Sequence, residues 1–246
     1  EAASGSLACG TSGIGRLPEP VDIVNWLSFH VGRTDLLADK TVIVTAGGTR
    51  EAIDPVRYIG NHSSGKMGYA VAAQAAMAGA RTILISAPTS LEVPYGVEYV
   101  PVDSAEAMKA AVDARYEEAD AVIMTAAVAD FKVENAASSK IKKMDTLDLH
   151  LVKNPDILKG LGERKTHQKL IGFAAETNDV IEYGKTKVLT KNLDMLVAND
   201  VSKKNIGFNA DDNEVTFIYS GGQIVNLPLM TKNDVAKRII SALAEL

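Results

Sequence analysis

The stretch KTVIVTAGGTREAIDPVRYIGNHSSGKMGYAVAAQAAMAGARTILIS, residues 40–86, decides the fold. It begins with a β-branched apolar run at 41–46, continues through a polar segment to an Ala-rich helical pattern at 64–80, and returns to an apolar run at 82–86. Short runs of Val and Ile without alternation are typical of strands buried on both faces of a sheet. A strand, a helix and a second strand in this order predict a parallel βαβ unit.

The same alternation continues along the chain. Further strands are predicted at 97–102, 121–128, 169–175 and 194–200, and helices at 22–37, 103–118, from Asn154-Pro155 onward, at 179–191 and at 232–244. Asp103 and Glu106 form a capping-box pattern at the start of the 103–118 helix. Two β-rich runs around Ser220-Gly221-Gly222 predict a hairpin over 214–229. We therefore predict an α/β fold: a Rossmann-like, doubly wound, mostly parallel sheet with helices on both faces and a C-terminal β-hairpin.

Composition excludes several classes of protein. The 246 residues are 46% hydrophobic and 23% charged, with a formal net charge of −5. The acidic balance argues against nucleic-acid or membrane-surface binding, and no apolar run is long enough for a membrane span. Cys9 is the only cysteine, so an internal disulfide and a cysteine-rich zinc site are excluded. We predict a soluble, cytoplasmic protein.

The polar segment after the first strand is the first candidate site. In a doubly wound fold, ligands bind where the carboxyl ends of the strands meet such loops, and 46–65 is long for a connection of this kind. GNHSSGK at 60–66 lacks the Ser or Thr that a P-loop places next, because Met67 stands there. No GxGxxG fingerprint precedes it, which disfavours an NAD-dependent enzyme. The helix start at 62–65 suits an anion, although an ordinary helix cap explains these residues too.

Lysines form two further candidate anion contacts. Lys140-Ile-Lys142-Lys143 follows a polar, Ala-rich stretch and suggests a mobile, basic loop. Lys187 and Lys191 are four residues apart and so share a helix face. Lysines are flexible point-charge clamps for phosphate, but solvated surface charges would look the same. These motifs alone support only a nucleotide-using α/β enzyme.

An ordered set of motifs resembles a known family. TAGGTRE, DPVRYIGNHSSGKMG, TAAVADF, KIKK, VKNPDIL, GFAAET, KNLD and VANDV followed by GFN occur in the order of the phosphopantothenate–cysteine ligases, over about 40–246. LACGTSGIGRLPEP, at 7–20, resembles the C-terminal clamp of the flavin-dependent phosphopantothenoylcysteine decarboxylases. The expected organisation is a decarboxylase remnant at 1–20, a linker with a short helix at 21–39 and a ligase domain at 40–246. Cys9 matches the decarboxylase acid, and FMN would belong to the flavin domain that this sequence lacks.

The resemblance implies a reaction in coenzyme A biosynthesis. The carboxylate of 4′-phosphopantothenate attacks the α-phosphate of CTP, with Mg²⁺ or Mn²⁺, and releases pyrophosphate. The amine of L-cysteine then attacks the acyl-cytidylate, giving 4′-phosphopantothenoylcysteine and CMP. A homodimer and a fused or associated flavin decarboxylase are the implied protein partners, and the 214–229 hairpin is our candidate for the dimer contact.

The resemblance also implies roles for individual residues. Asn61 and Arg57 are the expected catalytic and substrate-binding residues, and Lys140 the phosphate-contacting lysine of a flap. The implied nucleotide contacts are Ala126, Ala127, Asp130, Lys140, Val152, Lys153, Asn154, Pro155, Phe173, Lys187 and Lys191. The resemblance identifies no metal ligands. Two alternatives stay open: an ATP-dependent ligase of the same fold, and a non-catalytic nucleotide-binding module of a decarboxylase–ligase fusion.

Overall fold

A computed structural model describes residues 3–6, 9–143, 145–176, 179–200 and 210–246. The strands are β1 Ala3–Ser6, β2 Ser12–Arg16, β3 Thr41–Ala46, β4 Arg50–Ala52, β5 Tyr58–Gly60, β6 Arg81–Ser86, β7 Val97–Pro101, β8 Ala121–Met124, β9 Phe131–Val133, β10 Leu151–Lys153, β11 Lys169–Glu176, β12 Met195–Asp200, β13 Asp212–Asn213, β14 Val215–Tyr219, β15 Ile224–Asn226 and β16 Met230–Thr231. The α-helices are α1 Pro20–Gly32, α2 Lys66–Met77, α3 Ala105–Asp113, α4 Ile157–Glu163, α5 Val180–Thr190 and α6 Lys232–Glu245, and a 3₁₀ turn spans Tyr116–Glu118.

Eight strands form the central sheet, in the order β15-β14-β12-β11-β8-β3-β6-β7. The six strands from β12 to β7 pair in parallel, and β14 and β15 add an antiparallel edge. Counted along the chain, the parallel strands follow the order 3-2-1-4-5-6 of a doubly wound dinucleotide fold. The predicted fold class and the hairpin are therefore confirmed. The order reverses between β3 and β8, and this switch point is where such folds bind ligands.

Two apolar layers cover the sheet. Val42 and Val44 point into the layer that also holds α2 and α6, whereas Ile43 points into the opposite layer with α3, α4 and α5. All three side chains have no exposed surface. Because successive side chains of a strand face opposite ways, an unbroken apolar run such as TVIVTA supplies both layers at once.

Short β ladders also form where no strands were predicted, and two of them concern the sequence analysis directly. The first twenty residues were expected to be a loop or tail, but β1 and β2 pair as an antiparallel hairpin. Within the long 46–65 segment, β4 pairs with β5. Both ladders are only a few residues long, so neither leaves a period in the sequence. The ladder β4–β5 brings the two ends of the 46–65 segment together next to the carboxyl end of β3, where Gly48 lies close to Asn61.

Two predicted helix starts are wrong by a residue or two. The cap of α3 is Ser104, whose side chain accepts the amide hydrogen of Ala107 at 3.2 Å, and not Asp103. The cap of α4 is Asp156, so Pro155 lies outside the helix and not in its first turn. Asp, Ser and Asn all cap well, and only backbone direction selects between neighbours.

β10, which contains Val152, pairs with β9 in a separate two-stranded ladder and not with the central sheet. Among the helices of the described segments, none combines the length and the apolar character needed to cross a membrane.

Candidate functional site

A cavity of about 170 Å³ lies at the carboxyl ends of the central strands. The turn before α2, the first turn of that helix and the ends of β8, β11 and β12 surround it. Its lining residues are Ser63, Ser64, Gly65, Lys66, Met67, Gly68, Thr125, Ala126, Ala127, Phe173, Ala174, Ala175, Asn199, Asn213 and Lys232. This is the crevice that the strand order predicts.

A larger cavity, of about 790 Å³, lies beside α1 and is lined by Trp26, Phe29, Met77 and Tyr95 among others. None of the predicted site residues lines it. The candidate chemistry therefore belongs to the smaller cavity.

The start of α2 forms one wall of the 170 Å³ cavity. Gly65 caps the helix with a φ of 78°, a left-handed conformation that favours glycine. At Gly68 a Cβ would lie 2.6 Å from Ala46 Cβ and 2.9 Å from Thr45 O, so only glycine lets α2 pack this closely on β3. The first amides of a helix lack partners within the helix and carry positive partial charge. The wall therefore suits an anion, as the sequence predicts. It is not a P-loop, because β3 ends at Ala46 and does not lead directly into the turn before α2.

Two lysines add positive charge to the same wall. Lys66 Nζ lies 2.7 Å from Asp211 Oδ1, and the Lys232 ammonium donates to the carbonyl of Ala210. Lys232 is only 7% exposed. Burial, and then the charge of Lys66, lower the pKa of Lys232, while Asp211 opposes the shift. An anion in the cavity would stabilise the charged form of this lysine.

The segment that directly follows β8, at Ala126 and Ala127, connects the cavity to Asn61. The amide of Ala127 donates to Gly47 O at 2.9 Å, and Ala127 O accepts from the amide of Thr49 at 3.2 Å. Asn61 Nδ2 also donates to Ala127 O, at 3.0 Å. The structure thus brings together Asn61, Ala126 and Ala127, three of the predicted site residues.

Arg57 and the Lys140 segment meet through Asp54. Arg57 Nε and Nη2 donate to Asp54 Oδ2 at 3.0 and 2.5 Å, and Arg57 Nη2 also donates to Ile141 O at 2.9 Å. The amide of Ile141 donates to Asp54 Oδ2 at 3.1 Å. We call residues 134–143 the basic flap; Lys140 is exposed on it, directly beside Ile141. Hydrogen bonds connect this flap, which the sequence predicts to be a mobile basic loop, to the Arg57 segment.

Asn154 directly follows β10, and hydrogen bonds hold both its backbone and its side chain. Its backbone amide donates to Asp130 O at 2.8 Å and its side-chain Nδ2 to Ala129 O at 2.9 Å. Its Oδ1 is buried without a hydrogen-bond partner in the described segments, as is Asn199 Oδ1 in the wall of the cavity. A buried acceptor of this kind is rare in a native protein and fits a donor group of a ligand. Asp130 itself is exposed, and Val152 and Lys153 form the β10 strand that leads into Asn154 and Pro155.

The remaining predicted contacts separate into two places. Phe173 lines the cavity. Lys191 Nζ lies 2.8 Å from Asp156 Oδ2, the cap of α4, and Lys187 stands one helical turn before it, partly buried. Burial alone would raise the pKa of Asp156, but the Lys191 ion pair and the amide of Lys159 hold it below its usual range. The structure therefore does not place the Lys191 ammonium in the lining of the cavity.

A comparison with known protein families identifies the family of this chain. The profile of the family described as DNA/pantothenate metabolism flavoprotein C-terminal domain matches residues 37–246. The chain belongs to this family.

The chain is also similar in sequence to longer, curated proteins, in agreement with the family match. The chain is 49% identical to the coenzyme A biosynthesis bifunctional protein CoaBC of Bacillus subtilis over its whole length, and 47% identical to CoaBC of Escherichia coli over 93% of it. It spans 62% and 57% of those two proteins. A crystal structure of the C-terminal domain of a CoaBC protein superposes with a TM-score of 0.75 at 43% identity, covering 86% of this chain and 97% of that one. The resemblance predicted from the motifs is confirmed.

Cys9 lies outside the family match, in the turn between β1 and β2. It is exposed, and the Thr11 hydroxyl, 3.2 Å from its Sγ, lowers the pKa of the thiol. The GFN motif at 207–209 lies outside the described residues. Within the described ranges no three His, Cys, Asp or Glu side chains cluster as a metal site.

Sequence reasoning missed several residues that the family fold brings to the site. Asp54 was visible only as one polar residue in a long loop, and its burial could not be foreseen. Lys232, Asn199 and Asn213 reach the cavity from distant parts of the chain. Lys66 was the exception, since the incomplete P-loop pattern drew attention to it.

Proposed function

We propose that this chain is a CTP-dependent phosphopantothenate–cysteine ligase acting in coenzyme A biosynthesis. The observation that carries the proposal is the meeting of Asn61 with the end of β8, at Ala127, beside a cavity walled by a helix start and two lysines. A pure nucleotide binder needs the helix start and the lysines but no amide at the strand end. The names of the family's curated members support the same pathway, although the chain spans less than two thirds of them.

The first proposed step joins two anions. A carboxylate of 4′-phosphopantothenate must approach the α-phosphate of CTP, and the repulsion between them is strong in a cavity of low dielectric. The α2 amides, Lys66, Lys232 and the flap residue Lys140 would offset it. Mg²⁺ or Mn²⁺ would enter on the phosphate oxygens of CTP and neutralise further charge. These groups would stabilise the charge that moves onto the departing pyrophosphate.

The second proposed step needs a donor at the acyl carbonyl. When the cysteine amine attacks the acyl-cytidylate, negative charge develops on that carbonyl oxygen. A side-chain amide carries two N–H donors, and Ala127 O uses one from Asn61. The second would serve the developing oxyanion. Arg57, held rigidly by Asp54, would add positive charge for the same step.

The nucleotide contacts leave the choice of base open to test. The buried Oδ1 atoms of Asn154 and Asn199 would accept hydrogen bonds from amino or hydroxyl groups of the nucleotide. Cytosine and adenine both carry an exocyclic amine, so these acceptors fit either. The preference for CTP therefore rests on the resemblance. Lys187 and Lys191 would lie at the outer end of the nucleotide, with Phe173 against it.

Pyrophosphate release tests the proposal directly. The protein is incubated with 4′-phosphopantothenate and Mg²⁺, with CTP or ATP, with and without cysteine. CTP-dependent release, with amide product only after cysteine is added, is the expected result. Release with ATP alone would keep the reaction and overturn the base preference. No release with either nucleotide would favour the non-catalytic binding module.

We further propose that the chain forms a homodimer through the 214–229 hairpin, alongside a fused or associated flavin decarboxylase. β15 is the last strand of the central sheet, and no described strand pairs with its outer side. Such an edge can pair with a second copy. Size-exclusion chromatography with light scattering should give a dimer at micromolar concentration, and Ile224→Pro should reduce it to monomer if the hairpin is the contact.

A further inference from the structure

The Asp54 carboxylate is buried, and every lone-pair site on its two oxygens has a donor. Its side chain has no exposed surface. Oδ1 accepts the amides of Val56 and Arg57 at 2.8 and 2.9 Å, and Oδ2 accepts two donors from the Arg57 guanidinium and one from the amide of Ile141. A charge buried this deeply is stable only when it is paired and hydrogen-bonded. Asp54 therefore holds three pieces of chain together: its own turn, the Arg57 side chain and the basic flap.

The contact between the flap and the Arg57 segment involves three flap groups. Besides the Ile141 amide, Ile141 O accepts from Arg57 Nη2 and the amide of Ala137 donates to Ile53 O at 2.9 Å. Removing the Asp54 carboxylate would eliminate the hydrogen bond from the Ile141 amide and leave Arg57 without its anionic partner. The Arg57 bond to Ile141 O would then lose its orientation too. Only the Ala137 bond would remain.

We propose that Asp54 is a positioning residue that latches the basic flap onto the Arg57 segment, so that the Arg57 guanidinium and the flap backbone next to Lys140 are held together. The inference rests on the proposed function for the roles of Arg57 and Lys140. Its physical content is preorganisation: a flap that is closed in advance does not have to be ordered during binding. If the flap is closed only part of the time, the apparent affinity is the intrinsic affinity multiplied by the closed fraction.

Hydrogen exchange of the flap tests the latch without reference to catalysis. Asp54→Asn keeps the shape but removes the charge and turns one acceptor into a donor. We expect amides of peptides covering 134–143 to exchange at least about 10-fold faster than in the wild type, since local opening sets that rate. Asp120→Asn is the matched control. Like Asp54, Asp120 accepts hydrogen bonds from a backbone amide, that of Thr41, and from a basic side chain, that of Lys40. Unchanged flap exchange in folded Asp54→Asn overturns the proposal.

A second variant covers the case in which Asp54→Asn does not fold. Ile141→Pro removes the flap amide that Asp54 accepts and leaves the buried carboxylate intact. The peptide covering 134–140 should again exchange faster. If flap exchange is unchanged in every folded variant, the proposed latch is refuted.

Steady-state kinetics separate positioning from general stability. With a loosened flap the KM for CTP in pyrophosphate release should rise about 10-fold, with a smaller change in kcat. In a cycle with Lys140→Ala, Asp54→Asn should then add little, because both changes act through the flap. Additive losses, or a loosened flap with unchanged KM, overturn the positioning role. Failure of the wild type to release pyrophosphate would instead refute the proposed function, and the exchange result would still judge the latch.

Discussion

Two basic regions that the sequence analysis singled out, the flap at 134–143 and the lysines of α5, look alike in sequence and differ in the structure. The flap is bound to the Arg57 segment through buried Asp54, and that segment leads to Asn61 at the end of β8. On α5, Lys191 forms an ion pair with Asp156 at the start of α4. The first region is organised around the proposed reacting atoms, and the second around a neighbouring helix.

This difference separates chemistry from affinity. Groups held against the end of β8 can respond to charge that develops during the reaction. Lys191 pairs with Asp156 and does not line the cavity, so it contributes less to either step, and its contribution is further screened by solvent. We therefore expect substitutions of Asn61 and Lys140 to reduce rates and substitutions on α5 to reduce affinity slightly.

The largest effect should come from Asn61→Asp. Replacing the amide donor by a carboxylate leaves no donor for the acyl carbonyl, so amide formation should fall by about 10²- to 10³-fold. Pyrophosphate release should continue, and acyl-cytidylate should accumulate, detectable by mass spectrometry of quenched reactions. Asn25→Asp, an exposed change on α1, is the control. Wild-type rates of amide formation in Asn61→Asp would remove the distinction between the two regions.

Lys140→Ala should have the next largest effect. The loss of one charge-assisted contact to phosphate, about 1.5–3 kcal/mol, should slow pyrophosphate release by about 10- to 100-fold. Lys143→Ala is the matched control, because it removes the same charge from the same flap. Equal slowing in both variants would mean that the flap acts through its total charge and not through a positioned lysine.

Lys191→Ala should weaken CTP binding by only about 2- to 5-fold, as expected for a partly exposed ion pair. Isothermal titration calorimetry with CTP measures this, and Lys185→Ala, whose ammonium pairs with Glu182 on the same helix, provides the comparison. A 100-fold loss would show that Lys191 leaves Asp156 for the nucleotide, and would erase the contrast with the flap.

The smallest effect concerns the pH dependence of the Asp156–Lys191 pair. The folded-state pKa of Asp156 is below its usual range, so the pair contributes stability above the unfolded pKa, about 3.9, and loses it as the pH falls through the folded value. The Tm difference between the wild type and Asp156→Asn should be small at pH 6 and shrink toward pH 3. A difference that grows on acidification would reverse the assigned sign.

Much of the fold follows from sequence because its determinants are local. TVIVTA predicts β3 with correct ends, since a short apolar run between polar residues defines a buried strand. Ser220-Gly221-Gly222 likewise predicts the β14–β15 turn. The start of α3 could not be assigned, because Asp103 and Ser104 are both good caps and the direction of the incoming chain selects Ser104.

The site was predictable only where a motif marked it. Asn61, Arg57 and Lys140 belong to the ordered motifs that resemble the ligases. Asp54 becomes informative only through its burial, and Lys232 only through the packing of α6 next to α2. Burial depends on contacts between segments far apart in the chain, and no local pattern records them.

The spread of the cavity along the chain also bears on biogenesis. Its walls draw on residues from Ser63 to Lys232, the first residue of the last helix. A nascent chain emerging from the ribosome therefore cannot complete this pocket until Lys232 has been synthesised. A nucleotide that binds only the finished pocket would stabilise the folded state by mass action. Cellular nucleotide supply would then influence how much of this protein survives quality control.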